Sequence, residues 1–315
     1  MSERPPLDLL ALNLEGRPVG FAKFREGYLD WLQPTLYQKV YSGFFIDPDS
    51  VISETDINRA WSDYISTSMP KNSQIMSFRQ VEVPLGHYLP RIARVGISHP
   101  NDITSVIKKT AADMEAEAIY CGRLRIAIER FQEIAETVHL SEDQMLVFGD
   151  QIRNLLILAA TEVESQFKSV LKVNGIAPKN AGTKDYIVLN GVMRLSEYKV
   201  RLVAYPWIQP FSPFLGWVAS EPTKSLSWYH AYNETKHDSL SSFRVANLKE
   251  AISAIIAQYI LCVAQFGAPQ IQQRYDIFRS TFDIVQYPKW DVSEIYAYQR
   301  REEWQPIELT RLARK

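Results

Sequence analysis

The chain has 315 residues, of which 46% are hydrophobic and 23% are charged. This length and composition predict a globular protein of one large domain or two ordinary ones. The formal net charge is −1 at pH 7, which argues against a basic surface for nucleic acids or membranes over the whole molecule. A local basic patch is still compatible with this charge.

The cysteines and the apolar segments bear on the compartment. Cys121 and Cys262 both lie in apolar helical patterns, and no Cys-x-x-Cys pair occurs. We therefore expect reduced thiols and a cytoplasmic protein. Residues 1–6 have no apolar segment of the kind that a secretory signal needs. The most apolar run, residues 251–266, is too short to span a bilayer, so we predict a core helix there and no membrane partner.

Residues 1–100 form the first of three predicted parts, an irregular, aromatic-rich region in which prolines recur. Short helices are predicted at residues 24–32 and 54–66, the second with Ser53 as its cap and Asp56 in its first turn. The segment 80–95 alternates enough to allow a strand.

Residues 101–268 are predicted to form the second part, a helical bundle. Apolar residues recur every three or four positions over residues 102–137, which predicts one long helix with Asn101 as its cap. A second long helix is predicted at 141–173, because Ser141-Glu-Asp-Gln144 spells a capping box and Asn174-Gly175 is typical of a helix end. The short connection predicts an antiparallel pair.

The rest of this part predicts a small β insertion and two more helices. Asn190-Gly191 between β-branched and aromatic runs predicts a β-hairpin near residues 185–205. Helices are predicted at 225–237 and 245–266, and residues 269–315 form a C-terminal extension. The fold class is therefore mainly α, an antiparallel helical bundle with a small β-hairpin insertion and an irregular N-terminal region. Four aromatic residues near the insertion predict a cap over the bundle, with stacking on bases as the alternative; they are Trp207, Phe211, Phe214 and Trp217.

The segment Trp228-Tyr-His-Ala-Tyr-Asn-Glu-Thr-Lys-His-Asp238 is the most informative one, because it combines three aromatic residues with a dense set of polar groups. On a helix, His230, Asn233 and His237 share one stripe. Such a stripe is typical either of a binding site or of a heavily hydrogen-bonded core helix.

This segment, followed by Phe243-Arg-x-Ala-Asn-Leu248, resembles uncharacterised bacterial proteins related to the HEPN superfamily of helical proteins. The upstream helix with Arg153-Asn154 and Leu158-Ala-Ala-Thr-Glu162 also resembles them, so the resemblance covers roughly residues 140–266. It implies a metal-independent endoribonuclease that needs no cofactor, acting in phage defence or in a toxin–antitoxin pair. It further implies RNA as a partner, a partner protein from the same operon, and a homodimer with the 225–237 helix near its axis.

The HEPN motif has an arginine, a polar residue and a closing histidine. In this chain Asn233 and His237 hold the last two positions, while Tyr232 stands at the arginine position. His237 could act as a general acid or base, and Arg153 on the partner helix could supply the missing cation. Lys236, adjacent to His237, lies about 100° away around a helix and is a poorer substitute.

The alternative is a catalytically silent dimerisation or interaction module in which the same cluster is structural. Glu162 would then be a partly buried carboxylate paired with His237 or Lys236. Glu164 and Lys168, four residues apart, are predicted to form a surface helix pair. The sequence has no spaced set of metal ligands, no phosphate-binding loop and no nucleophile motif.

Overall fold

The computed structural model describes residues 7–25, 28–33, 38–45, 53–68, 77–99, 102–106, 109–237, 243–297 and 304–312. It is mainly α-helical, as predicted, with several small sheets. The helices are α1 (Glu54–Ser68), α2 (Ala111–Ala135), α3 (Asp150–Val173), α4 (Thr183–Tyr186), α5 (Val188–Met193), α6 (Ser227–His237), α7 (Leu248–Phe266), α8 (Ala268–Arg274), α9 (Asp276–Thr281) and α10 (Leu309–Leu312).

The strands form one five-stranded sheet and three smaller ones. They are β1 (Leu7–Leu12), β2 (Pro18–Arg25), β3 (Tyr28–Gln33), β4 (Gln38–Phe45), β5 (Ser77–Gln80), β6 (His87–Tyr88), β7 (Arg94–His99), β8 (Asp102–Val106), β9 (Lys199–Leu202), β10 (Phe282–Gln286), β11 (Tyr296–Ala297) and β12 (Gln305–Pro306). The large sheet has the order β4-β3-β2-β1-β5 with antiparallel neighbours. The small sheets have the orders β11-β7-β8, β10-β9 and β12-β6.

The N-terminal region is a sheet with one helix, so the predicted helix at residues 24–32 is wrong. Residues 24–25 belong to β2 and residues 28–32 to β3, and Phe24 pairs with Leu29 in the antiparallel register. Side chains of a strand alternate between the two faces of a sheet, and this places Phe24 and Leu29 against Trp61 of α1 in one small core. The predicted helix at 54–66 is confirmed as α1, whose Asp56 carboxylate accepts hydrogen bonds from the Ser53 backbone N–H and hydroxyl.

Both long helices begin later than predicted. Residues 102–106 pair with β7 as β8, and α2 starts after Thr110, which forms a capping box with Asp113; Asn101 lies outside the described residues. The stretch from Ser141 forms a short 3₁₀ turn without a side-chain cap, and α3 starts only at Asp150. The end of α3 is confirmed, because Gly175 follows it with a φ of 78°.

The predicted β-hairpin near residues 185–205 is wrong. Its first half forms α4 and α5, with Gly191 inside α5 and with Leu189 and Met193 buried. The Asn190 side-chain oxygen accepts a hydrogen bond from the Ser196 backbone N–H, so this asparagine stabilises a helix end instead of a hairpin turn. The second half does form β9, whose partner is β10.

The main core surrounds α7, which contacts α2, α3 and α6. Two contacts show that α2 and α3 are antiparallel. Arg123 in the middle of α2 pairs with Glu162 in the middle of α3, whereas Ile134 at the end of α2 and Leu155 near the start of α3 line the same pocket. The predicted helices at 225–237 and 245–266 are confirmed as α6 and α7. Although α7 is long and apolar enough to cross a membrane, 89% of its apolar window is buried inside the protein, as in a core helix.

The main core also takes side chains from the flanking regions. Tyr88 and Ile92 join it from before residue 100, and Trp304 and Leu309 join it from the C-terminal extension. The boundaries predicted near residues 100 and 268 stay a prediction.

Candidate functional site

Helix α6 carries the polar and aromatic segment and is positioned by its aromatic side chains. Trp228, Tyr229 and Tyr232 are buried, as is Thr235, whereas Lys236 is exposed. The buried positions recur with a helical period, which points one face of α6 into the core. The aromatic lead of the segment is therefore packing, and only the other face of α6 can meet a ligand.

Trp228 fixes the start of α6 through its indole. Its Nε1 donates a hydrogen bond of 2.8 Å to the Pro213 carbonyl, and its ring meets Phe214 edge to face. Phe214 and Trp217 are buried against Phe167 of α3. These two rings of the predicted aromatic cap are thus core residues and offer no face to a base.

Trp207, by contrast, is 55% exposed, while its Nε1 donates to the Leu140 carbonyl. Stacking of a base on Trp207 stays a hypothesis.

Tyr229 links α6 to α3. Its hydroxyl donates a hydrogen bond to the Glu164 carboxylate, which also lies 3.9 Å from the Lys168 ammonium. Burial, together with this carboxylate, raises the pKa of Tyr229 above its ordinary value. Burial and the charge of Glu164 likewise raise the pKa of Tyr186. Glu164 therefore pairs with Lys168, as predicted, and also accepts a hydrogen bond from the buried phenol of Tyr229.

Tyr232 stands where the HEPN motif has its arginine, and its side chain is 2% exposed. Its hydroxyl lies 3.5 Å from the Thr161 hydroxyl of α3 and 3.4 Å from the Lys236 ammonium. The same ammonium lies 5.4 Å from the centre of the Tyr232 ring, within the range of a cation–π contact. Lys236 thus holds a positive charge close to the arginine position, at the protein surface.

Asn233 is engaged within α6, since its side-chain amide donates a 3.1 Å hydrogen bond to the Tyr229 carbonyl. The backbone of His237 ends α6. The side chain of His237 lies outside the described part of the chain, so its predicted role stays a prediction.

Glu162 pairs with Arg123 of α2 at 2.8 Å, and this hydrogen bond raises the pKa of Arg123. The predicted pairing of Glu162 with Lys236 is wrong, because the hydrogen-bond partner of Lys236 is Tyr232. Successive α-helical residues are rotated by about 100°, so Glu162 and Glu164 point in different directions. The sequence predicted Glu164 as a partner of Lys168, but it did not predict the hydrogen bond from Tyr229, since the burial of that phenol depends on the packing of the core.

Arg153 lies in the first turn of α3, with its backbone N–H bonded to the Gly149 carbonyl. It precedes Thr161 by eight residues, which is about 12 Å along a helix. Its side-chain Nε is buried and has no hydrogen-bond partner among the residues that the structure describes. No contact within this described set joins Arg153 to Tyr232, so its role as the replacement cation stays a prediction.

The arrangement offers a limited chemistry. Within the described ranges, no three His, Cys, Asp or Glu side chains come close enough together to hold a metal ion. The groups at the α3–α6 contact are phenols, a carboxylate and an exposed ammonium. They can hold the two helices together and attract an anion.

Comparison of the chain with models of protein families, with curated proteins and with solved structures found no match.

Proposed function

We propose that this chain is a HEPN-like protein whose long helices and α6 form one bundle, and that it acts as a catalytically silent dimerisation or interaction module. In this proposal it is a cytoplasmic homodimer with α6 near the two-fold axis, and it binds a partner protein from the same operon. The segment of α6 and the resemblance to HEPN proteins support the family. The state of the polar cluster supports the silent role.

One observation carries the silent role: three of the candidate site residues, Asn233, Lys236 and Glu162, have partners within the protein. Asn233 bonds a carbonyl of its own helix, Lys236 bonds Tyr232, and Glu162 pairs with Arg123. A group that acts on a substrate must be free to reach it, at hydrogen-bond distance from the reacting atom. Side chains that satisfy one another hold helices in place instead.

The second candidate is an RNA-directed module, a metal-independent ribonuclease of phage defence or of a toxin–antitoxin system. Two cations favour it. Lys236 is exposed beside the arginine position, and Arg153 forms no ion pair with any carboxylate of the described ranges. Such cations can contact phosphates, and His237 would supply the acid or base.

Incubation of the purified full chain with total RNA, with and without EDTA, separates the two candidates. The silent module predicts no cleavage by the wild-type protein and a stable dimer in size exclusion with light scattering. Cleavage that survives EDTA and disappears in His237→Ala would establish the ribonuclease instead. His230→Ala is the matched control, because it removes a histidine from the same helix without touching the motif. A monomer in solution would remove the dimer from the proposal.

A further inference from the structure

A cleft of about 590 Å³ lies away from the α3–α6 contact, between the starts of α6 and α7 and the segments around residues 142–146 and 208–215. This volume lies within the usual range for sites that hold small molecules. Apolar and polar residues share its wall, and six of the apolar ones are Met145, Leu146, Ile208, Phe211, Leu215 and Leu226.

Two exposed leucines line the cleft. Leu146 is 70% exposed on one side and Leu215 is 69% exposed on the other. Single exposed apolar residues need no explanation, but two that flank one concave apolar surface form a patch of the kind that ligands cover.

Polar residues line the cleft on several segments, among them Glu142, Gln209 and Ser227, and two of the polar residues belong to the first two turns of α7. These two, Lys249 and Ser253, stand four residues apart, so their side chains are neighbours on one helix face. Ser253 is only 7% exposed, yet its hydroxyl has no hydrogen-bond partner among the described residues. A hydroxyl that lines the cleft and has no partner in the described part of the protein can donate a hydrogen bond to a ligand there.

Lys249 is the one cationic side chain among the described residues that line the cleft. Lys249 forms no ion pair within 4.0 Å of a described carboxylate. The two nearby carboxylates are already engaged: Glu142 accepts a 2.7 Å hydrogen bond from the Gln209 backbone N–H, and Glu250 accepts one of 2.9 Å from the Ser227 hydroxyl. An anionic group that reached Lys249 and Ser253 could accept a hydrogen bond from each.

We propose that this cleft binds a small molecule with an apolar body and one carboxylate, such as a medium-chain or aromatic carboxylic acid. The carboxylate pairs with the Lys249 ammonium and the Ser253 hydroxyl, and the apolar body covers the leucines. This site does not depend on the function proposed for the α3–α6 contact.

Octanoate and 1-octanol test the proposal, because they share an apolar body and differ in charge. Isothermal titration of the full chain is expected to show one saturable octanoate site per chain and binding of octanol that is about tenfold weaker. Lys249→Gln should weaken octanoate binding about tenfold and leave octanol binding unchanged. Ser253→Ala should give a smaller loss in the same direction.

Lys172→Gln is the matched control, since Lys172 is an exposed lysine in the last turn of α3, outside the cleft; it should bind octanoate like the wild type. Circular dichroism of each variant verifies the fold. Absence of saturable octanoate binding at millimolar concentration would overturn the proposal, as would equal octanoate affinity in the wild type and Lys249→Gln.

Discussion

Helix α3 builds two polar networks on different faces, and they differ in exposure and in how fully their hydrogen bonds are made. The tyrosine network faces α6 and consists of Thr161, Glu164, Tyr229, Tyr232 and Lys236. The arginine network faces α7: hydrogen bonds join Arg91, Gln166, Ser169 and Gln265, and we count with them the buried Gln258, whose side chain has no partner among the described residues.

The tyrosine network extends from the buried phenols of Tyr229 and Tyr232 to the surface. Glu164 keeps a side-chain exposure of 17%, and Lys236 is exposed. Each of its polar side chains has a partner in the protein, and its charges can still be solvated.

The arginine network is buried. Arg91 is 4% exposed, and Gln166, Gln258 and Gln265 are fully buried. The Arg91 guanidinium donates to the Ser169 hydroxyl at 2.7 Å and to the Gln265 side-chain oxygen, while the Gln265 amide donates to Gln166 at 2.7 Å. Burial lowers the pKa of Arg91, although an arginine remains charged in proteins.

Hydrogen bonding in the arginine network is incomplete. Both polar atoms of Gln258 and the amide nitrogen of Gln166 are buried without a partner among the described residues. The contrast teaches that polar density in a sequence does not locate a site. In α6 the side chains of Tyr229, Asn233 and Lys236 each have a partner, whereas Gln166 of α3 and Gln258 of α7 carry groups that are unpaired within the described part of the chain.

The largest expected effect comes from the one cation of the arginine network. Arg91→Ala leaves Ser169 and Gln265 without their donor and opens a cavity beside Tyr120 and Phe266, over which the guanidinium lies. We expect a loss of about 3 kcal/mol in the free energy of unfolding, measured by urea denaturation. Arg125→Ala, which removes an exposed arginine paired with Glu129, should cost under about 1 kcal/mol. Equal losses in both variants would mean that burial of the network contributes nothing.

The next largest effect compares how much the hydroxyl groups of Tyr229 and Tyr232 contribute to stability. Tyr229→Phe removes the hydroxyl that donates to the partly buried Glu164 carboxylate, and we expect a loss of about 2 kcal/mol. Tyr232→Phe is the matched control, because its hydroxyl contacts are 3.4 and 3.5 Å long; it should cost under about 1 kcal/mol. The reverse order of the two unfolding free energies would show that Tyr232, not Tyr229, joins α6 to α3.

Alkaline pH should weaken the tyrosine network. The folded-state pKa of Tyr229 is raised above its ordinary value of 10.0, so the folded state retains a proton that the unfolded chain loses. The stability that this difference represents is complete below pH 10 and is lost as pH rises above it, by at most about 1.4 kcal/mol per pH unit for one group. Tyr229→Phe should therefore show a shallower alkaline decline than the wild type in urea unfolding. Parallel declines would place the titration at other tyrosines.

The sequence predicted those helices whose ends are signalled by neighbouring residues, such as a capping side chain or a terminal glycine. Helix α7 is bounded by the Asn247 cap and by Gly267 with a φ of 88°, and both signals are visible in the sequence. The N-terminal sheet was missed because β2 and β3 are short strands joined closely, so their apolar residues do not show a clear period over a helical window. The hairpin was predicted from Asn190-Gly191, a local signal that burial of Leu189 and Met193 overrides.

The sequence identified the helix that carries the candidate site, but not the residue of α3 that the helix contacts. Polar and aromatic density identified α6, and the contact of α6 with α3 agrees with the predicted pairing of their helices. The choice between Glu162 and Glu164 depends on how α3 is rotated about its axis, and two residues on a helix differ by about 200°. That rotation is set by which residues the whole core buries, such as Val163 and Phe167, and a single helix does not specify it.

The smallest expected effect is a gain in stability, and it tests whether the arginine network is incomplete. Gln258→Leu replaces two unpaired buried polar groups with apolar atoms of similar volume, and we expect the free energy of unfolding to rise by about 1 kcal/mol. Gln265→Leu makes the same change seven residues later in the same helix. There the side chain bonds Arg91, Gln166 and the Leu261 carbonyl, so we expect a loss of about 2 kcal/mol. Urea denaturation measures the change in the free energy of unfolding for each variant. The two changes should have opposite signs if a buried glutamine stabilises the protein only when its hydrogen bonds are made. A loss in both variants would mean that Gln258 has partners of its own, such as buried water.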